Sequence, residues 1–210
     1  MNKIFSTHIS LILLLNIIFA VGLQSLNIPI SSDALAMDNA GIAMEGIYSS
    51  NPTNRVEIEM LSYGSRYWID GFIGHMIEYD FGHLKPIRLT FETIKDEKIE
   101  HYGSIPQDES LGTIPVSWYS LGVNVRHSLM GKQVGIEFKP FMNLLYNLKL
   151  YGLAINAGIL EPIGKNFSIG FAVKNLGWIK GDFSDQKMPT VFLAGLTGSF
   201  INNKLKIFTD

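Results

Sequence analysis

Leu144 to Gly177 reads LLYNLKLYGLAINAGILEPIGKNFSIGFAVKNLG, and it carries no charge between Lys149 and Glu161 and none between Lys165 and Lys174. An uncharged run of this kind suits a buried core or a membrane segment. Its period decides which secondary structure it takes. Tyr151, Leu153, Ile155, Ala157 and Ile159 occupy every second position, and the small or polar Gly152, Ala154, Asn156 and Gly158 occupy the others. After Glu161–Asn166 the alternation resumes, with Phe167, Ile169, Phe171 and Val173 against Ser168, Gly170, Ala172 and Lys174. Period two over two long runs, joined by a Pro/Gly/Asn turn, specifies a hairpin of long strands. Large apolar residues on one face and small or polar ones on the other also suit a membrane barrel, with lipid outside and a wet interior.

The same alternation continues through the chain. Candidate strands are Arg55–Tyr63, Arg66–Phe81 after a turn at Gly64–Ser65, Leu84–Thr93, Val116–Leu129, Lys132–Phe141, the two strands of the opening hairpin, Pro189–Phe200 and Lys204–Phe208. That makes about nine, several longer than the 5–6 residues usual in soluble sheets, and close to the 9–11 a tilted membrane strand needs. Ile94–Thr113 and Gly177–Met188 read as loops, the first the most polar stretch of the chain. In a barrel such long loops are extracellular and the short turns periplasmic. Aromatic residues recur near strand ends (Tyr63, Tyr67, Tyr79, Phe81, Phe91, Trp118, Tyr119, Phe141, Tyr151, Phe167, Trp178 and Phe200), as interfacial girdles require.

Charged residues make up 17% of the 210, below the roughly 25% of ordinary soluble domains. The net charge is −2, with both signs scattered, which gives a nucleic acid no basic face to bind. Without cysteine the chain has no disulfide framework and no thiolate metal site. Met1-Asn2-Lys3 followed by the apolar run Ile9–Leu23, with Ala20-Val21-Gly22 as a small-x-small site, reads as a signal peptide over residues 1–22. An anchor helix is the alternative, but the run falls short of the ~20 apolar residues of a span. Residues 23–54 read as an irregular N-terminal segment, either a linker or a plug in a barrel lumen, with a turn at Asn51-Pro52-Thr53-Asn54.

The expected fold is therefore all-β: an antiparallel transmembrane β-barrel over residues 55–210, complete or incomplete, behind an irregular N-terminal segment. A soluble secreted β-sandwich or binding protein also alternates, but its outward face should carry charge. Neither face of Tyr151–Ile159 or Val191–Ile201 does. Polar residues at the inward positions are Asp70, Glu78, Arg88, Asn124, Arg126, Glu137, Asn156 and Lys174, the expected lining of a lumen.

No stretch carries catalytic chemistry. His75, Glu78, Asp80 and His83 fall within nine residues, as metal ligands can. On a strand, however, His75 points away from Glu78 and Asp80. His127-Ser128, and His101 near Ser104, are the loose Ser–His candidates of a lipid hydrolase, but no Gly-x-Ser-x-Gly elbow is present. The expectation is a non-enzymatic protein without catalytic, cofactor-binding or metal residues.

Gly135-Ile-Glu-Phe-Lys139, then Gly152 to Leu160, then Ile169 to Gly177 with its closing Asn-Leu-Gly, resemble in order the PorV/PorQ family of bacterial outer-membrane barrels, related to FadL-type channels. Ala36–Asn54, ending in Asn51-Pro52-Thr53, resembles that family's N-terminal Gly/Ala-rich segment ending in Asn-Pro-Ala. Pro189–Phe200 resembles its Pro-then-apolar strand. Asn156 stands where an Asp is usual, and Thr53 where an Ala is. The resemblance implies a cell outer-membrane location, contact with outer-membrane lipid, and a role beside type IX protein secretion, with secretion components or exported proteins as partners. Its other implication is FadL-like passage of hydrophobic small molecules. Family members are longer, and Lys206–Asp210 ends inside what reads as a strand, so an incomplete, C-terminally truncated barrel is expected.

Overall fold

A computed structural model describes residues 26, 41–44, 51–53, 58–67, 71–82, 85–96, 99–102, 109–182, 187–200 and 205–209. The expected signal peptide, most of the 23–54 segment, and the candidate residues Asp70 and His83 lie outside the described residues.

Among the described residues the ordered elements are strands: β1 (Met60–Tyr67), β2 (Ile73–Asp80), β3 (Ile87–Asp96), β4 (Glu100–His101), β5 (Gly112–Thr113), β6 (Val116–Leu129), β7 (Lys132–Leu145), β8 (Leu148–Ile163), β9 (Phe167–Gly181), β10 (Val191–Phe200) and β11 (Leu205–Thr209). Nine of them form one sheet in the order β1-β2-β3-β6-β7-β8-β9-β10-β11, and β4 and β5 pair separately. All eight pairings of the large sheet are antiparallel. With nine alternating strands the two edges, β1 and β11, run in the same direction. They do not pair with each other, and the described sheet is not closed into a barrel. Among the described residues no helix is long and apolar enough to cross a membrane.

Two expectations about element boundaries are corrected. Gly64 and Ser65 lie in mid-β1, paired with Met76 and His75, so the turn expected there does not exist. The chain reverses instead between Tyr67 and Ile73, and the expected strand Arg66–Phe81 is the end of β1, a connection, and β2. Glycine followed by serine resembles a turn, but a flat ladder accepts the pair as readily. The expected loops are also not wholly loop: Ile94–Thr113 holds the end of β3 and the small β4–β5 pair, and Gly177–Met188 begins inside β9, which runs to Gly181.

Connections sort by end. β2–β3, β6–β7, β8–β9 and β10–β11 are joined at one end, by residues 81–86, 130–131, 164–166 and 201–204. Of the connections at the other end, 97–115 and 182–190 are the longest in the sheet. The two ends are called here the turn end and the loop end.

The two faces differ in kind. One is bare and apolar from edge to edge: Leu61, Tyr67, Ile77, Phe91, Leu121, Phe138, Tyr151, Phe171, Phe192 and Ile207 are all exposed, Tyr67 at 77% and Phe192 at 60%. The other is covered and largely polar, with Glu78, Asp80, Arg88, Thr90, Ser120, Asn124, Arg126, Asn156 and Asn175 buried. The usual arrangement of a soluble sheet, apolar face inside and polar face in water, is reversed.

Candidate functional site

The covered face divides along the strands into three bands. At the turn end, pieces of the N-terminal segment lie directly on the sheet. Gly41–Met44 forms a turn closed by the Met44 N–H donating to the Gly41 carbonyl at 3.0 Å. Asn51 Nδ2 donates to the Ile42 carbonyl (2.7 Å) and to the Ile159 carbonyl of β8 (3.3 Å), while its Oδ1 accepts the Thr53 N–H (3.1 Å). This is the Asx-type turn that Asn-Pro favours. Ser168 Oγ donates to the Ala43 carbonyl at 2.8 Å, and Asn124 Nδ2 to the Pro52 carbonyl at 3.0 Å.

Glycine makes this approach possible. A Cβ on Gly135 would stand 2.3 Å from the Pro52 oxygen, one on Gly158 2.2 Å from Asn51 Oδ1, and one on Gly170 2.3 Å from the Ile42 oxygen. These positions lie on the neighbouring strands β7, β8 and β9, with Gly135 and Gly158 direct partners. Side chains there would hold the segment off the sheet and leave its polar groups buried without partners.

The middle band is a row of polar residues in register: Asp80, Arg88, Asn124, Glu137 and Asn156 are successive cross-strand partners on β2, β3, β6, β7 and β8. Asp80, fully buried, accepts from Arg126 through both oxygens (2.7 and 2.8 Å), from Arg88 Nε (3.2 Å) and from the Gly82 N–H (2.8 Å). Arg88 also lies 3.8 Å from Glu78. Beside this cluster Lys139 Nζ donates to Glu92 at 2.9 Å, and Ser120 Oγ donates to the same carboxylate oxygen at 2.8 Å. Buried charges are tolerated when paired, and each of these has an opposite charge within 4 Å.

The row ends in a bulge. Ladder pairing between β8 and β9 shifts between Ile155 and Ala157, opposite Lys174–Asn175. Asn175 takes φ 59°, a left-handed conformation that asparagine adopts more readily than most residues. Asn156 Oδ1 accepts its N–H at 2.7 Å, and Asn156 Nδ2 donates to Glu137 at 2.5 Å. Asn175 Nδ2 donates onward to the Pro189 carbonyl (3.1 Å), which fixes the entry to β10.

The third band, at the loop end, is apolar. Ile94, Trp118, Phe141, Leu150 and Ala154 form a buried cluster, with Leu26, Phe72, Ile179 and Met188 packed against it. Trp118 and Phe141 stack with centroids 4.9 Å apart. They therefore belong to the covered face, which corrects their place among the expected girdle aromatics. Trp118 Nε1 has no hydrogen-bond partner among the described residues.

Of the expected lining residues, Glu78, Arg88, Asn124, Arg126, Glu137 and Asn156 are brought together in or beside the polar row. Lys174 stands at the bulge, within electrostatic reach of Glu137. Asp80, the hub of the network, enters the sequence reading only among the candidate metal ligands and not among the lining residues, and Glu92 and Lys139 are in neither group. Asn175 carried no signal, because strict alternation turns it outward. His75 faces the bare side, where its Nδ1 meets the Tyr63 hydroxyl at 2.9 Å, opposite in direction to Glu78 and Asp80. Chemically the covered face offers paired charge and a seated segment. Compared with known proteins, no family model matches the chain, and no curated protein or solved structure matches it either.

Proposed function

We propose that this chain is a non-enzymatic bacterial outer-membrane β-barrel protein whose lumen is filled at the turn end by its own N-terminal segment. The observation that carries this reading is the reversed polarity of the sheet. Nine strands expose an apolar face across their full width, while paired charges lie on the covered face. In water an apolar surface of this extent is a liability. Against hydrocarbon it is what a barrel wall requires. The long β6 to β9, of 14, 14, 16 and 15 residues, suffice to cross a bilayer at a tilt. Long connections gathered at one end and short turns at the other fit the extracellular and periplasmic sides of such a wall.

The resemblance to PorV/PorQ proteins gives the wall a role in docking secretion components or exported proteins of the type IX pathway at the cell surface. The segment seated at the turn end and the ion pairs of the covered face support docking over conduction. One observation favours the FadL-like alternative: the apolar Trp118–Phe141 cluster at the loop end, where a hydrophobic solute would enter.

Fractionation of cells expressing the full chain tests the central reading. The protein is expected in the outer membrane, resistant to alkaline carbonate and released by detergent. Recovery in the aqueous phase would replace this reading with a soluble secreted β-protein. Pull-down after solubilisation separates the two roles: secretion subunits support docking, and bound lipid or fatty acid alone supports passage.

A further inference from the structure

Charge within the strands of the bare face is confined to its two ends, and the ends differ. Near the turn end Lys132 and Glu161 form an ion pair at 3.0 Å. Near the loop end the charged side chains are Lys95, Lys149 and Lys180, all exposed and none in an ion pair among the described residues. The register sets them close together. Lys95, Ser117, Leu144 and Lys149 are successive cross-strand partners in one row. Tyr119, Met142, Tyr151 and Lys180 form the adjacent row. Lys95 Nζ lies 5.9 Å from the Tyr119 ring centroid, and Tyr151 packs edge-on against Trp178 at 6.2 Å. Just beyond β9, Asp182 Oδ2 accepts the Lys149 backbone N–H at 2.8 Å.

We infer that this lysine–aromatic rim binds the headgroups of anionic, phosphate-bearing lipids in the leaflet at the loop end. The inference rests on the membrane reading above. Lysine stems lie along apolar surface while their ammonium groups reach the headgroup level, and tyrosine and tryptophan settle at the same depth. Within the described strands the bare face at this end carries three cations and no carboxylate. The acyl chains of the same lipid meet the apolar wall directly below, at Leu121 and Leu153. Headgroup charge and tail hydrophobicity are thus matched by one continuous surface, which a free phosphate or a soluble acidic partner would use only in part.

Spin-labelled phosphatidylglycerol and phosphatidylcholine, added separately to vesicles holding the full-length protein, give the test. The motionally restricted fraction of each label measures its affinity for the wall. The wild-type protein is expected to prefer the anionic label, and the preference should fall as salt rises. The variant K95Q/K149Q/K180Q should lose most of that preference, bringing the restricted fractions of the two labels close to equal. A control, K85Q/K165Q, removes two exposed turn-end lysines and should keep it. Equal restriction of both labels by the wild type, or equal losses in the two variants, would overturn the headgroup site and leave the wall intact. Absence of any restricted fraction would mean that the face does not border lipid, and both readings would fall.

Discussion

Asn156 on β8 accepts the backbone N–H of Asn175 on β9 at 2.7 Å while its own amide donates to Glu137 on β7 at 2.5 Å. One side chain thus ties three strands and supports the bulge at which β9 changes the parity of its faces. Ahead of the bulge Phe167 and Phe171 are exposed, and after it Leu176 and Trp178 are. Asn156→Ala removes both bonds across the three strands. The expected cost is about 2 kcal/mol, read as a lower denaturant midpoint of the detergent-folded protein. Asn175→Val, which places a β-branched residue at φ 59°, should cost a similar amount or more.

The N-terminal segment should be separable from the wall. Gly158→Ala puts a methyl group 2.2 Å from Asn51 Oδ1. The segment is expected to lift, seen as several-fold faster proteolysis between residues 41 and 60 with unchanged β content. Gly64→Ala, whose Cβ would meet only Met76 Cε at 3.8 Å, is the control and should leave cleavage unaltered.

Asp80 holds Arg88 and Arg126 together. Asp80→Ala leaves both guanidiniums facing a site without their shared carboxylate, and breaking a buried pair from one side costs about 3–5 kcal/mol. Removing Arg126 as well, in Asp80→Ala/Arg126→Met, should recover part of that loss. A double-mutant cycle measured by urea unfolding gives the coupling.

Depth along the bare face should govern the cost of a charge. Leu121 lies mid-strand and Ser117 near the loop end of the same face of β6. In bilayers Leu121→Arg is expected to cost about 2–4 kcal/mol, and Ser117→Arg about 0–1 kcal/mol. Folding into vesicles followed by denaturant titration checks both.

Most of the fold was legible because the two faces differ so strongly in composition. From β6 to β10 alternation alone gives strand, face and hairpin, and it picks out Asn124, Arg126, Glu137 and Asn156 as inward residues. What alternation cannot supply is pairing, so Asp80 looked no different from Glu78, although the first accepts from two arginines. Alternation also fails where the backbone departs from period two, as at Asn175. The first reversal was misread because Gly64–Ser65 resembles a turn. The seat of the N-terminal segment was half-legible: Asn51-Pro52-Thr53 announces a turn, while the glycines that receive it sit over 80 residues later, in neighbouring strands that only the fold brings together.

The membrane assignment is tested most directly by spin labels on single cysteines, which the cysteine-free chain permits. Labels at Leu121, Val123 and Val125 on β6, and at Leu153 and Ile155 on β8, all point from the bare face. In reconstituted vesicles they are expected to collide with dissolved oxygen and to be shielded from a water-soluble nickel complex. Free collision with the nickel complex at these five positions would put the face in water and contradict the assignment of the sheet to a membrane wall.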